Sequence, residues 1–111
     1  MDYPKFQISK GSDAQFYFHL YAANAKNILD SEAYTEKSAC ENGIDAVKNN
    51  AENDAHYQRK TSSNGEFYFV LVAGNGEVIG KSEMYTTEQA RESGIESVKR
   101  NAPMAGIEEI G

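Results

Sequence analysis

Two Ser-Glu pairs, Ser31-Glu32 and Ser82-Glu83, recur 51 residues apart, each late in an alternating run and just ahead of a Tyr-Thr. A pair of equivalent carboxylates with raised pKa values can serve as a site that exchanges a proton. Glu32 and Glu83 are therefore the candidates for a small-ligand site or a weak enzyme. The simpler use of the same residues is structural, because a strand end next to a helix start has open N–H groups that need acceptors. Tyr17, His19 and Tyr21 alternate within FYFHLYA, and Tyr68 takes the matching place in FYFVLVA. Aromatic side chains on an open sheet face can anchor a partner, or they can pair across strands and stiffen the sheet. Base stacking on these rings is disfavoured by a formal charge of −6, since phosphate contacts need clustered Lys and Arg.

Other chemistries lack their residues. His19, His56 and the single Cys40 are too few and wrongly spaced for zinc, so no metal and no cofactor is expected, and no catalytic residue is assigned. Gly74-Asn75-Gly76 leads into a strand rather than a helix, which argues against a phosphate-binding loop. Cys40 falls about five residues into a predicted helix and matches Arg91 in the later copy. With no base or second thiol beside it, it reads as a half-exposed structural residue. A lone cysteine fits a reducing compartment. No apolar run reaches the roughly 18 residues of a membrane span, and MDYPKFQISK lacks a secretory signature. The expected location is cytoplasmic.

The elements that position these residues are written twice. Phe16 to Ala51 aligns with Phe67 to Ala102 without a gap, and 19 of the 36 positions are identical. In each copy a strand with Phe, Phe, Leu and Ala on one face is followed by a turn and a second strand at Ile28-Leu29 or Val78-Ile79. Asn75-Gly76 predicts a two-residue hairpin, whereas Asn24-Ala25 predicts a longer or different turn, because alanine resists positive φ. Earlier strands at Phe6 to Ser9 and Tyr57 to Lys60 pair through Gly11-Ser12-Asp13 and Ser63-Asn64-Gly65. Helices follow, with Thr35 and Thr86 as N-caps, Tyr34 and Tyr85 stapling onto Ala39 and Ala90, and Asn50 and Asn101 near left-handed ends. Gly43 and Gly94 lie on the buried stripes, which predicts close approach of the other helix or of a core phenylalanine. Gly106 to Ile110 aligns with the start of the second unit and predicts a short last strand.

The motifs AANxxxxxxSExYxxKxACENGIxxVKxNA and NGEVIxxSExYxxxxAxxxGIxSVKxNA resemble the YegP-like bacterial family of small uncharacterised proteins over nearly the whole chain. The resemblance implies a β-β-β-α repeat, in tandem in some members and as a self-associating single copy in others, and implies no activity. Departures fall at Asn24-Ala25-Lys26, where relatives favour Asn-Gly-Glu, and at Arg91-Glu92-Ser93, where they favour Cys-Glu-Asn. Tyr17, His19 and Tyr21 stand where relatives often carry basic residues.

The expected fold is α+β. Two tandem β-β-β-α repeats, about 5–54 and 55–111, form one compact pseudo-two-fold domain over residues 1–111, with antiparallel sheets and two packed helices. A half of this size rarely supplies a sufficient core alone. The expected state is a monomer. The leading expected function is a non-enzymatic module binding a protein or small ligand through the Tyr-bearing sheet face. The alternative is a ligand site or weak enzyme using Glu32 and Glu83. A deep pocket holding both glutamates would favour the latter.

Overall fold

The structure, a computed structural model, describes residues 2–110. Period-two alternation produces the strands β1 (Lys5–Lys10), β2 (Phe16–Tyr21) and β3 (Asn27–Asp30), and the helix α1 (Lys37–Asn50) follows them. The later half gives β4 (Tyr57–Thr61), β5 (Phe67–Val72), β6 (Val78–Lys81) and α2 (Glu88–Asn101), and then β7 (Gly106–Glu109). Short 3-10 turns at Asp54–His56 and Ala102–Met104 link each helix to the strand after it. All strands join one sheet in the order β4-β5-β6-β3-β2-β1-β7.

Phe18, Leu20, Phe69 and Leu71 turn to one face and are fully buried, together with Ile44, Val47, Ile95 and Val98 from the helices. These side chains form a continuous cluster spanning both halves. The helices reach across the middle of the sheet: α1 touches β2 and also β5 and β6, while α2 touches β5 and also β3. Neither half therefore completes its core with its own residues alone. No helix among the described residues is long and apolar enough to cross a membrane.

The last strand is present, but the antiparallel expectation fails there, because β7 runs parallel to β1 with Phe6 beside Ile107 and Gln7 beside Glu108. The reason lies in the path of the chain. Leaving α1 it enters β4 at one outer edge; leaving α2 it heads for the matching edge, which β1 already occupies, so β7 adds outside β1 in the same direction.

Local chemistry corrects five further expectations. Both β2–β3 and β5–β6 turns have the same three-residue form, with Ala25 N–H donating to Ala22 O and Gly76 N–H to Ala73 O, each at 2.8 to 2.9 Å. Asn24 and Asn75 fix these turns by accepting from the backbone N–H two residues on, both at 3.0 Å. Alanine does not change the turn; it is forced into it, with φ at 64° for Ala14 and 68° for Ala25, where the later half places Gly65 and Gly76 at 85° and 86°. Because L residues resist this region, Ala14→Gly and Ala25→Gly should each raise stability by about 0.5–1 kcal/mol. Urea unfolding measures this, and an unchanged or lower midpoint in both variants would count against the strain.

The helix caps fall one residue later than the spacing predicts, at Glu36 and Thr87, of which only Thr87 caps with its side chain, accepting from Ala90 N–H at 3.0 Å. Tyr34 and Tyr85 are held one step earlier by paired backbone bonds to Phe16 and Phe67. Their rings stack on Phe18 and Phe69 instead of stapling onto alanines. At the far ends the helices continue through right-handed Ala51 and Ala102, so Asn50 and Asn101 are not left-handed caps. Their amides instead donate back to Ala46 O and Ser97 O, and Asn101 Oδ1 accepts from Ala23 N–H at 3.2 Å. Cys40 is fully buried rather than half-exposed. Burial, then the charge of Glu41, pushes its thiol up to about 11, which disfavours the reactive thiolate at neutral pH.

Candidate functional site

The face of the sheet turned away from the helices carries one transverse row through all seven strands. Register places Gln58, Val70, Lys81, Asp30, His19, Gln7 and Glu108 side by side in that row. At its centre β3 and β6 pair through a single residue pair, Asp30 with Lys81. These two positions are equivalents in the 51-residue repeat. Opposite charges across strands favour pairing there, where identical residues would place like charges against each other.

Asp30 is half-buried and well held. His19 Nδ1 lies 2.5 Å from its Oδ1, and Asn27 Nδ2 donates to the same oxygen at 3.0 Å. Burial opposes its charge, but the bonds from His19 and Asn27 outweigh it and keep the carboxyl below its ordinary value. Lys81 Nζ stands 5.1 Å over the Tyr68 ring.

The two Ser-Glu pairs lie beside this centre, and the serines are structural. Ser31 Oγ accepts from Phe18 N–H at 2.9 Å and donates to Glu32 O at 2.8 Å; Ser82 repeats this with Phe69 and Glu83 at 3.0 and 2.8 Å. Each hydroxyl thus replaces a ladder bond where its strand leaves the sheet. That departure lets β3 and β6 diverge and turns Glu32 and Glu83 into one shared cleft of about 490 Å³. Asp30, Lys81, Val78 and Met84 line it as well, and no helix residue does. Lys26 Nζ stands 3.8 Å from Glu83, while no cation among the described residues pairs with Glu32. Asp30, Glu32 and Glu83 outnumber Lys81 and Lys26, so the cleft favours positive charge, and Val78 and Met84 supply an apolar wall.

The tyrosines are not gathered in the same way. Tyr17 donates to Asp13 Oδ2 at 2.7 Å, Tyr21 meets Tyr3 edge-on at 6.0 Å, and Tyr68 lies on β5. Three strand spacings, about 14 Å, separate β5 from β2. Of the residues singled out by sequence, the structure brings Glu32 and Glu83 together, sets His19 and Tyr68 next to their cleft through Asp30 and Lys81, and leaves Tyr17 and Tyr21 apart.

The model of a domain of unknown function, DUF1508, matches residues 12–58 and again 62–109. The chain belongs to the DUF1508 family. It is 52% identical over 96 residues to the UPF0339 protein YegP of Escherichia coli, covering 86% of this chain and 87% of that one. A UPF0339 protein of Pseudomonas aeruginosa is 44% identical over 103 residues, 93% of this chain and 94% of the relative. The solution structure of the E. coli protein of unknown function yegP superimposes with a TM-score of 0.91 at 46% identity, covering 98% of this chain and 94% of that one. That of a UPF0339 protein from Shewanella oneidensis gives 0.89 at 41%, covering 95% and 89%. DUF1508 is a family without an assigned function, and the resemblance drawn from the Ser-Glu and Gly-Ile motifs is borne out. Within this DUF1508 chain, sequence reasoning missed Asp30, Lys81, Val78 and Met84. The inversion from Asp30 to Lys81 between the copies was the available signal.

Proposed function

We propose that this protein is a non-catalytic binding protein that holds a small, positively charged ligand with an apolar body in the cleft between β3 and β6. The observation that carries this reading is the convergence of both Ser-Glu motifs on one cleft of about 490 Å³, within the usual size of small-molecule sites. Glu32 and Glu83 take the charge, Val78 and Met84 the apolar body. His19 and Tyr68 support the cleft through Asp30 and Lys81, and the binding face and the glutamate pair thereby become one site. Tyr17 and Tyr21 belong to the outlying part of that face. Ser31 and Ser82 are spent on backbone bonds, which argues against a nucleophile.

On the same reading residues 1–111 form one domain, and its halves, about 5–54 and 55–111, are β-β-β-α units related by a pseudo-two-fold at Asp30 and Lys81. The contacts of each helix with strands of the other half support a monomer, and the unpaired thiol of Cys40 fits the cytoplasm.

Butylammonium chloride is a suitable probe, with sodium butyrate as the control of opposite charge. In an NMR titration the ammonium should shift resonances of Glu32, Val78, Glu83 and Met84, butyrate should not, and the Glu32→Gln, Glu83→Gln variant should lose the response. Equal shifts with both salts, or a response unchanged in the variant, would remove the reading.

A further inference from the structure

The two outer edges of the sheet are built from equivalent strands but are finished differently. On one side β7 lies along β1, where Gly106 N–H donates to Pro4 O at 3.3 Å and Ile110 N–H to Ile8 O at 2.8 Å. Glu108 of β7 accepts from Lys5 Nζ at 2.8 Å and from Gln7 Nε2 at 3.1 Å. The bond from Lys5, then that from Gln7, hold its carboxyl down to about 2. Lys5, Phe6 and Ile8 are buried.

On the other side β4 ends the sheet, and the residues after Tyr57 in it are exposed. By the 51-residue offset His56, Tyr57, Gln58 and Arg59 stand where Lys5, Phe6, Gln7 and Ile8 meet β7. Gln58 keeps the glutamine that grips Glu108, and His56 replaces Lys5. Its Nδ1 is buried and has no hydrogen-bond partner among the described residues. Past this stretch the edge is closed, because Arg91, stacked on Phe67, donates to Lys60 O at 3.3 Å. The free length of β4 thus matches the length over which β1 holds β7.

We propose that the free edge of β4 accepts an extended acidic segment of a partner protein as an added parallel strand, with a glutamate bound by Gln58 and His56 as Glu108 is bound by Gln7 and Lys5. Addition of a strand to an open edge draws its affinity from main-chain bonds and its selectivity from alternate side chains. The carbonyls in position to accept are those of Ala55 and Arg59, the equivalents of Pro4 and Ile8. Arg59 is already held by Glu92 and Asp54, so recognition of the acid falls on His56 and Gln58. The pairing of β1 with β7 serves as the internal example of this mode.

The chain's own tail supplies the probe. The peptide AGIEEIG, added at millimolar concentration to the full-length protein, should shift the amides of His56 to Arg59 and leave Lys5 to Ile8 unmoved. Methylating the backbone nitrogen of its second isoleucine, the donor to Arg59 O in this pairing, should abolish binding, and replacing its first glutamate by glutamine, or using the His56→Ala protein, should weaken it at least fivefold. Unshifted core resonances in His56→Ala confirm that the variant is folded. No shift at β4, shifts confined to β1, or equal binding of the methylated peptide would overturn the proposal.

Discussion

Exchanging Leu29 and Gly80 should restore most of the stability that either change alone removes. The two positions are equivalents in the repeat, and they meet at the centre of the sheet, where the Leu29 side chain lies over the Gly80 backbone. A β-carbon on Gly80 would stand 2.6 Å from Leu29 Cδ2 and 2.8 Å from its Cγ. Leu29 is fully buried, so it has no solvent side to retreat to. Gly80→Leu should therefore overpack the core at a cost of about 1–3 kcal/mol or more. Leu29→Gly leaves a cavity, and truncations of this kind cost about 2–5 kcal/mol before the added backbone freedom of glycine. The double variant returns one leucine and one glycine to the same space from the opposite strand. Chemical denaturation of the four proteins in a double-mutant cycle measures the coupling. If the double variant is as unstable as the sum of the two singles, the space is not shared in this way.

This pair shows what duplication within one chain permits. Two identical units meeting at a two-fold must present the same residue from both sides, which at this point means two leucines in conflict or two glycines around a void. Asp30 and Lys81 obey the same logic for charge. Both differences between the copies fall where the copies touch.

The repeat, the strands and the helices were legible because their signals are local: alternation in FYFHLYA, the Ala-Gly-Ile-Val stripe of each helix, and turn residues between strands. The side on which β7 adds was not, since it depends on β1 already filling the edge that α2 leads to. The cleft was half-legible. Glu32 and Glu83 stood out by repetition, but their convergence requires the seam between β3 and β6, which is a long-range pairing with no local mark. Residue propensity alone does not give the turn at Ala25. The flanking strands and Asn24 choose it, and alanine yields. Whether the tyrosines of β2 and β5 gather into a patch is not legible, because one strand shows its own face but not its distance from the equivalent strand.

Gly43→Ala and Gly94→Ala should both destabilise the fold, although alanine is the better helix former by about 1 kcal/mol. What approaches these glycines is neither the other helix nor chiefly a phenylalanine. It is the tyrosine that leads into the same helix: a β-carbon at Gly43 would lie 2.5 Å from the Tyr34 hydroxyl, 3.0 Å from Cζ and 3.1 Å from Phe18. At Gly94 the Tyr85 hydroxyl is closer still, and its Cζ would be 2.7 Å away. Neither ring is free to swing, since Tyr34 and Tyr85 are pinned to Phe16 and Phe67 through the backbone and stack on Phe18 and Phe69 at 6.3 and 6.5 Å. Tyr85 is the more buried of the two, and burial, then the charge of Glu83, pushes its hydroxyl up to about 12, so it sits over the helix as a neutral group. Overpacking of about 1–3 kcal/mol set against the helical gain leaves a small net loss at Gly43 and a larger one, about 2 kcal/mol, at Gly94. Removing the hydroxyl separates this cause from any other. Tyr34→Phe in the Gly43→Ala background should recover most of the helical gain, with the ring carbon at 3.0 Å and Phe18 at 3.1 Å still pressing on the new methyl, while Tyr85→Phe with Gly94→Ala should recover less, because the ring carbon there is nearer. Thermal unfolding of the four variants beside the parent protein decides it, and stabilisation by either alanine in the presence of its tyrosine would show that the glycine is not kept to make room.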